Sequence, residues 1–310
     1  MSNEYDVVII GSGPGGVTAG LYCGRAKLKT VILEKGNLGG AIIDAAWVEN
    51  WPGAENGISG ADLAGNMLSQ VMQYEVDMAT AVEATAIHLL ENGLKRVVTF
   101  EAEYLAKAVI IAGGTRPKKL NMPGEESFVN QGISYCVMCD GAPYSGKEIA
   151  ILGGGDNGVT GALYMARLDC KITLIEALPE LSASKVLQER LREIPKVRIL
   201  CSTLAEGIEI GEGAKVLRLV HFQTKEPSTL EVAGVFVLVG REAETEYLRE
   251  TVSLDDSGFI PVTHKMETNV PGIFACGDIR SGSVMQSVSA AGDGATAAIT
   301  AARFINARSW

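Results

Sequence analysis

Asp6-Val-Val-Ile-Ile-Gly-Ser-Gly-Pro-Gly-Gly16 runs from an apolar stretch straight into a glycine turn, and the reading of that junction decides the fold. Val7 to Ile10 form the kind of continuous apolar run that buried parallel strands carry. Gly11, Ser12, Gly13, Pro14, Gly15 and Gly16 then satisfy G-x-G-x-x-G directly after that strand. Glycines in this pattern permit the tight turn and let the backbone approach a pyrophosphate held at the N-terminus of the following helix. Thr30-Val-Ile-Leu-Glu34 supplies the partner strand, and Glu34 at its end can accept from a ribose hydroxyl. The pattern predicts a strand, turn, helix and strand that hold a dinucleotide.

The unit recurs in mid-chain. Glu148-Ile-Ala-Ile-Leu152 leads into Gly153, Gly154, Gly155, Asp156, Asn157 and Gly158, then a helical stretch to about Leu168 and the strand Lys171-Ile-Thr-Leu-Ile-Glu176. From the first motif glycine to the terminal acid is 23 residues in both copies, Gly11 to Glu34 and Gly153 to Glu176. Two nucleotide-binding units of one design follow. In the second copy the terminal acid decides which nicotinamide cofactor fits, because a 2′-phosphate needs a nearby cation whereas Glu suits a free 2′-hydroxyl. From Glu176 through Ser184 there is no Lys or Arg, but there are the two acids Glu176 and Glu180. NADH is therefore expected over NADPH; a relic unit that binds nothing is the alternative.

Between the copies lie an amphipathic stretch from about Ser59 to Tyr74 and two alternating segments, Val82 to Leu90 and Leu94 to Phe100, that read as a hairpin. An apolar strand, Leu105 to Ala112, ends in Gly113-Gly114-Thr-Arg-Pro117, and with Pro123 and Gly124 these residues suit a domain crossing. Further strands end at Val235-Phe-Val-Leu-Val239, and Gly240 marks a second crossing. The strand Gly272-Ile-Phe-Ala-Cys276 and the final helix, Val284 to Asn306, have no sheet of their own and must return to the first. The expected fold class is α/β, with two Rossmann-like three-layer dinucleotide-binding domains, the second inserted into the first. The first domain is expected over 1–114 and 245–310, the second over 115–244.

Cys136-Val-Met-Cys139-Asp140-Gly141 is the third motif. Two thiols three apart can close a small disulfide ring, and such pairs often hold one thiol at a lowered pKa so that a reactive thiolate is available. Asp140 beside the second sulfur can donate or accept the proton that thiol exchange requires. A bare C-x-x-C is also half of a zinc site, but no second one exists and His88, His221 and His264 are not at ligand spacing. Redox work is the better reading. Cys23, Cys170, Cys201 and Cys276 read as buried inert thiols. Trp47 and Trp51 suit a dimer surface or the core.

Composition removes other classes. The 310 residues are 47% hydrophobic and 21% charged, which fits neither a disordered chain nor a coiled coil, and 36 glycines are an excess that clusters at the motifs. A net charge of −10 without a basic stripe argues against nucleic acid. No apolar run reaches about 18 residues and no basic segment leads into an apolar one near Met1, so neither a membrane span nor a signal segment is expected, and the location is expected to be cytoplasmic.

In order and spacing these motifs resemble the low-molecular-weight thioredoxin reductases over essentially the whole chain. The likeness is carried by Gly11 to Gly16, the Gly39-Gly40 pair, Glu49-Asn-Trp-Pro-Gly53, Cys136 to Gly141, Gly153 to Gly158, Ile273-Phe-Ala-Cys-Gly-Asp278 and Ala290-Ala-Gly-Asp-Gly294. The resemblance implies a homodimeric FAD flavoprotein acting as a thioredoxin-disulfide reductase. Its FAD site would comprise Gly11 to Gly16 with Glu34, Lys35, Gly39, Gly40, Ala41, Asn50, Ala112, Gly113, Gly277, Asp278, Gln286 and Ser287. Its nicotinamide site would comprise Gly153, Gly155, Asp156, Asn157, Gly158 and Glu176. The family's mechanism runs hydride from nicotinamide to flavin, electrons to the Cys136–Cys139 disulfide, and exchange with a thioredoxin disulfide. Cys139 would face the flavin, Cys136 would attack thioredoxin, and Asp140 would be the acid-base partner. Members rotate one domain against the other, and the crossings at 113–117 and 240–245 are the natural hinges.

Two features depart from the pattern. NADPH-using members carry a basic run where this chain has Glu176-Ala-Leu-Pro-Glu-Leu-Ser, and members often have Arg where this chain has Met285 before Gln286. The competing readings are a reductase fed by reduced ferredoxin, a flavin-dependent dithiol oxidase, and a slow flavin redox sensor. The retained second glycine motif counts against the ferredoxin-fed relatives.

Overall fold

The computed structural model describes residues 3–129, 131–210 and 215–307. The first two and last three positions of the expected first domain, and residues 130 and 211–214 of the second, lie outside the described residues. The chain divides into two compact units, Met1–Arg116 with Glu242–Trp310, and Pro117–Arg241. The expected boundaries were 114/115 and 244/245; the crossings fall at 116/117 and 241/242.

In the first unit a parallel sheet grows outward from the opening strand. Glu4–Ile10 pairs with Thr30–Glu34 on one side and Glu103–Ile111 on the other, and Val76–Thr80 and Ile273–Ala275 extend it in parallel. The expected hairpin, Ala84–Leu89 and Lys95–Thr99, joins the same sheet as an antiparallel wing through Glu103–Ile111. Both faces of the central strands are covered, which is why their sequences are apolar without alternation. Val7, Ile9, Ile32 and Ile110 pack against Val17, Ala19 and Cys23 of the helix Pro14–Arg25 and Ala297, Ala298 and Ala301 of the helix Ser287–Ala307. Val8, Val31, Leu33 and Val109 pack on the opposite side against Leu248, Val252 and Ile260. The terminal helix starts three residues later than its sequence suggests. Met285 takes a left-handed φ of 52°, which an α-helix cannot contain, and Ser283 Oγ accepts its N–H.

The second unit has three layers. Its five-stranded parallel sheet runs Val197–Leu200, Lys171–Ile175, Glu148–Leu152, Gly234–Val237, Ile133–Ser134. Val159, Ala162 and Met165 of the helix Asp156–Arg167, with Leu191 of the helix Lys185–Arg192, cover Ile149, Ile151 and Leu174 on one face. An antiparallel sheet of Thr203–Ile210, Lys215–His221 and Pro227–Val232 covers the other, placing Ile208, Leu217 and Leu219 against Ala150, Leu152 and Val235.

The segments that carry the chain between units, Thr115–Pro117 and Arg241–Ala243, pair as a short two-stranded ribbon. Arg116 Nε donates to Glu242 Oε1 at 2.8 Å and the guanidinium lies within 4 Å of Glu244 and Glu246.

Candidate active site

The first glycine turn is locked by backbone contact. Gly11 has φ 101°, and a methyl group there would lie 2.3 Å from the Ala112 carbonyl oxygen; one on Gly16 would lie 1.9 Å from the Gly11 carbonyl oxygen. Only glycine permits this approach of helix to strand. Gly13 then caps the helix Pro14–Arg25 without any side-chain acceptor, and the space above its α-carbon is open. The first-turn amides thus point to a gap where an anion gains both their hydrogen bonds and the helix dipole.

Glu34 closes the adjacent end of the site. Its Oε2 accepts the Ser12 N–H at 2.8 Å and the Ser12 hydroxyl at 2.7 Å, its Oε1 accepts the Gly36 N–H at 2.9 Å, and Ser12 Oγ accepts the Gly39 N–H at 3.0 Å. A carboxylate offers about four lone-pair positions, so capacity for a ribose hydroxyl persists. Ser12, Glu34, Gly39 and Gly40 are therefore brought together. Asn50 Nδ2 donates to Gln286 Oε1 at 2.9 Å, joining residues far apart in sequence. Ala112 and Gly113 follow the strand Glu103–Ile111, with the Ala112 N–H donating to Ile10 O at 2.7 Å. Asp278 Oδ1 accepts from Ser283 Oγ at 3.4 Å, and Ser287 begins the terminal helix. Ala41 is exposed in the turn Gly40–Asp44, and the Lys35 ammonium pairs with Glu244.

One ion pair behind this site was missed by sequence reasoning. Arg280 Nε and Nη2 grip Asp293 at 2.6 and 3.2 Å, and Asp293 Oδ2 also accepts the Gly277 N–H at 3.2 Å. The pair ties the Gly277–Ile279 turn to the terminal helix. Asp293 lies inside a glycine motif already singled out, but its partner is visible only in three dimensions.

The second turn repeats the construction. Gly153 has φ 111°, and methyl groups on Gly153 and Gly158 would lie 2.2 Å from Leu238 O and 1.8 Å from Gly153 O. Gly155 caps the helix Asp156–Arg167 without a side-chain acceptor. Glu176 is buried at the strand end, where Oε2 accepts the Gly154 N–H at 2.5 Å and Oε1 the Leu178 N–H at 2.8 Å. Asp156 Oδ1 accepts the Ser184 N–H at 2.6 Å, and Asn157 is exposed. Ala177 to Glu180 form an exposed rim without a cation. Burial and the charges of Glu176 and Glu180 push the Cys201 thiol up, while Arg192 pulls it down, so Arg192 reaches this neighbourhood from outside the local sequence window.

Cys136 and Cys139 form a disulfide with Cα atoms 5.4 Å apart. Cys136 caps the short helix Val137–Asp140, its Sγ accepting the Cys139 N–H at 3.1 Å, while Cys139 and Asp140 are exposed. The remaining cysteines are unlike this pair. Burial pushes Cys23 up to about 12 and raises Cys170 and Cys276, which disfavours their thiolate forms. Cys201, expected to be buried, is only partly so.

Over residues 5–295 the chain matches the pyridine nucleotide-disulphide oxidoreductase family. It is 37% identical to a thioredoxin reductase of Mycolicibacterium smegmatis, covering 97% of this chain and 96% of that protein. It is 36% identical to a bifunctional thioredoxin reductase/thioredoxin of Mycobacterium leprae, covering 97% of this chain and 66% of that protein. Among solved structures, thioredoxin reductase of Lactococcus lactis superposes with a TM-score of 0.94 at 35% identity, covering 98% of this chain and 99% of that one. Two glycine turns, two buried strand-end glutamates and a Cys136–Cys139 disulfide exposed at Cys139 agree with these matches: the chain belongs to the pyridine nucleotide-disulphide oxidoreductases and, within them, to the thioredoxin reductase family.

Proposed function

We propose that the protein is an NADH-dependent flavoprotein that reduces the disulfide of a thioredoxin through Cys136 and Cys139. The observation that carries this reading is a disulfide exposed at Cys139 and flanked by Asp140 on a chain with two separate dinucleotide cradles. The first cradle suits FAD: the uncapped helix start at Gly13 fits its pyrophosphate, and Glu34 fits its adenosine ribose. Ala112, Gly113, Asp278, Gln286, Asn50 and Ser287 would hold the rest of it. Bound FAD supplies the two-electron carrier between the nicotinamide and the disulfide. The bifunctional relative, whose name joins a thioredoxin to a thioredoxin reductase, supports thioredoxin as partner. We assign the active species as a homodimer. Among the described residues no helix is long and apolar enough to cross a membrane.

The exchange itself is ordinary thiol chemistry at this chain's own atoms. In the dithiol form, the Cys136 thiolate attacks one sulfur of the partner disulfide; a mixed disulfide forms and the second partner sulfur leaves as a thiolate. Cys139 then attacks Cys136 Sγ, which closes the intramolecular disulfide and releases the first partner sulfur. Two electrons pass to the partner, and the two thiol protons of this chain end on its two sulfurs. Asp140, adjacent to Cys139, accepts the proton as that thiol becomes a nucleophile and returns it to a leaving sulfur.

The choice of NADH rests on Glu176. Its two oxygens are held by backbone N–H groups, so the carboxylate is fixed at the strand end beside the glycine turn, and Glu180 adds a second acid. A 2′-phosphate there meets like charge. Anaerobic mixing with NADH and with NADPH, followed by flavin bleaching in a stopped-flow instrument, is the test. Bleaching that is fast with NADH and slow with NADPH is expected. Equal rates would mean that Arg192 offsets Glu176, and slow bleaching by both would remove the second cradle as a donor site.

A further inference from the structure

Immediately behind the redox pair, one hydroxyl makes contacts that no motif accounts for. Ser134 is 5% exposed, at the end of the two-residue strand Ile133–Ser134 that borders the parallel sheet. Its Oγ lies 2.6 Å from Asp140 Oδ2, 3.0 Å from the Cys136 nitrogen and 3.1 Å from the Cys136 carbonyl oxygen. A hydroxyl has one proton to give. The short contact to the carboxylate takes it, and the Cys136 N–H donates to the oxygen in return.

We infer that Ser134 is a positioning residue for disulfide exchange: its buried hydroxyl fixes the Asp140 carboxylate and the Cys136 backbone in one frame. Three physical points carry this. The hydroxyl sits on the rigid sheet, whereas Cys139 and Asp140 are exposed at a four-residue helix that has little stability of its own. Ser134 is therefore the anchor and Asp140 the group that would otherwise explore rotamers. At 2.6 Å the contact to Asp140 Oδ2 is a short O–H···O hydrogen bond, which holds that side chain to one rotamer. The same oxygen also touches the peptide of the attacking cysteine, so acid-base group and nucleophile are registered to each other through one atom. The titratable group set against Asp140 from the following turn is Tyr144, raised by burial and then by Asp140's charge, with Lys147 Nζ 5.8 Å from its ring centre.

The inference rests on the exchange role proposed for Cys136, Cys139 and Asp140, but its test needs neither NADH nor thioredoxin. Flavin-loaded protein is reduced with dithiothreitol, freed of it, and mixed with 5,5′-dithiobis(2-nitrobenzoate) at about pH 7, the fast phase being the one lost in Cys136→Ser. The fast-phase rate is expected to fall by about fivefold in Ser134→Ala, to fall likewise in Asp140→Asn, and to return in Ser134→Thr, which keeps the hydroxyl. Ser134→Gly makes the same deletion if Ser134→Ala does not retain flavin. A Ser134→Ala rate equal to the parent's, or one that Ser134→Thr does not restore, overturns the inference and leaves the reductase reading standing. An unchanged Asp140→Asn rate overturns both the inference and the role given to Asp140. Slow flavin bleaching with NADH would instead remove the donor assignment alone.

Discussion

At the scale of single residues, environment separates six cysteines of one chemical type into two classes. Cys139 is exposed in a disulfide, while Cys23 and Cys276 lie in the packed interior of the first unit. Iodoacetamide at about pH 8 is expected to leave Cys23 and Cys276 unlabelled in the native oxidised protein and to label both once it is denatured, read by mass spectrometry. Replacing Cys139 by Ser should leave flavin reduction by NADH intact and abolish disulfide transfer; transfer that persists would remove the pair as the relay. Asp255 illustrates the opposite direction of shift. The Ser281 hydroxyl and the N–H groups of Phe259, Ser257 and Gly258 hold its carboxylate below the ordinary range. The folded-state value is lowered, so this stabilisation is complete above the ordinary carboxylate range and is lost as the pH falls through the lowered value. Ser281→Ala should narrow the difference in thermal midpoint between neutral and acid solution, as measured by calorimetry.

At the scale of elements, the two glycine turns are copies in geometry with separate duties, so equivalent substitutions should have different effects. Gly16→Ala and Gly158→Ala each drive a methyl group into a carbonyl oxygen of the preceding turn, at 1.9 and 1.8 Å. Each should cost about 2 kcal/mol as the helix is pushed off its strand. Gly16→Ala is expected to lose FAD on gel filtration, whereas Gly158→Ala should keep its flavin and lose fast bleaching by NADH. A Gly158→Ala protein bleached at the parent rate would show that the second cradle is not the donor site. The Arg280–Asp293 pair acts at this scale too. It clamps a turn to a helix, and Asp293→Ala, which strands a largely buried guanidinium, should cost about 3 kcal/mol by thermal unfolding.

For the whole molecule, the consequence of an inserted unit is that the chain crosses twice, at adjacent strands. Gly240 at the return crossing has φ 114° with open space around its α-carbon, so Gly240→Ala adds backbone strain of about 1 to 2 kcal/mol without a clash. If the crossings are hinges, turnover with thioredoxin should fall several-fold while FAD content is unchanged; parent turnover in this variant would place the hinge elsewhere.

Much of this was legible along the chain because the deciding contacts are local. The strand, turn and helix around Gly11 and around Gly153, the acids Glu34 and Glu176, and the Cys136 to Gly141 run each fall within a window of a few dozen residues. The physics that selects them, positive φ, close approach of helix to strand and a thiol pair able to close a ring, requires no knowledge of the rest. Other features depended on the assembled fold. Val76–Thr80 reads as a strand only because Thr30–Glu34 offers it an edge, and the start of the terminal helix was decided by the left-handed Met285. Asn50 and Gln286, Arg280 and Asp293, Arg192 near Cys201, and Ser134 under Asp140 are pairings of polar side chains, which carry no periodicity. The sequence by itself determined that two dinucleotide cradles and a redox pair share this chain, since glycine and cysteine constraints act on the local backbone. Only the tertiary structure decided which polar groups steady them, because burial and hydrogen-bond direction arise when distant segments pack.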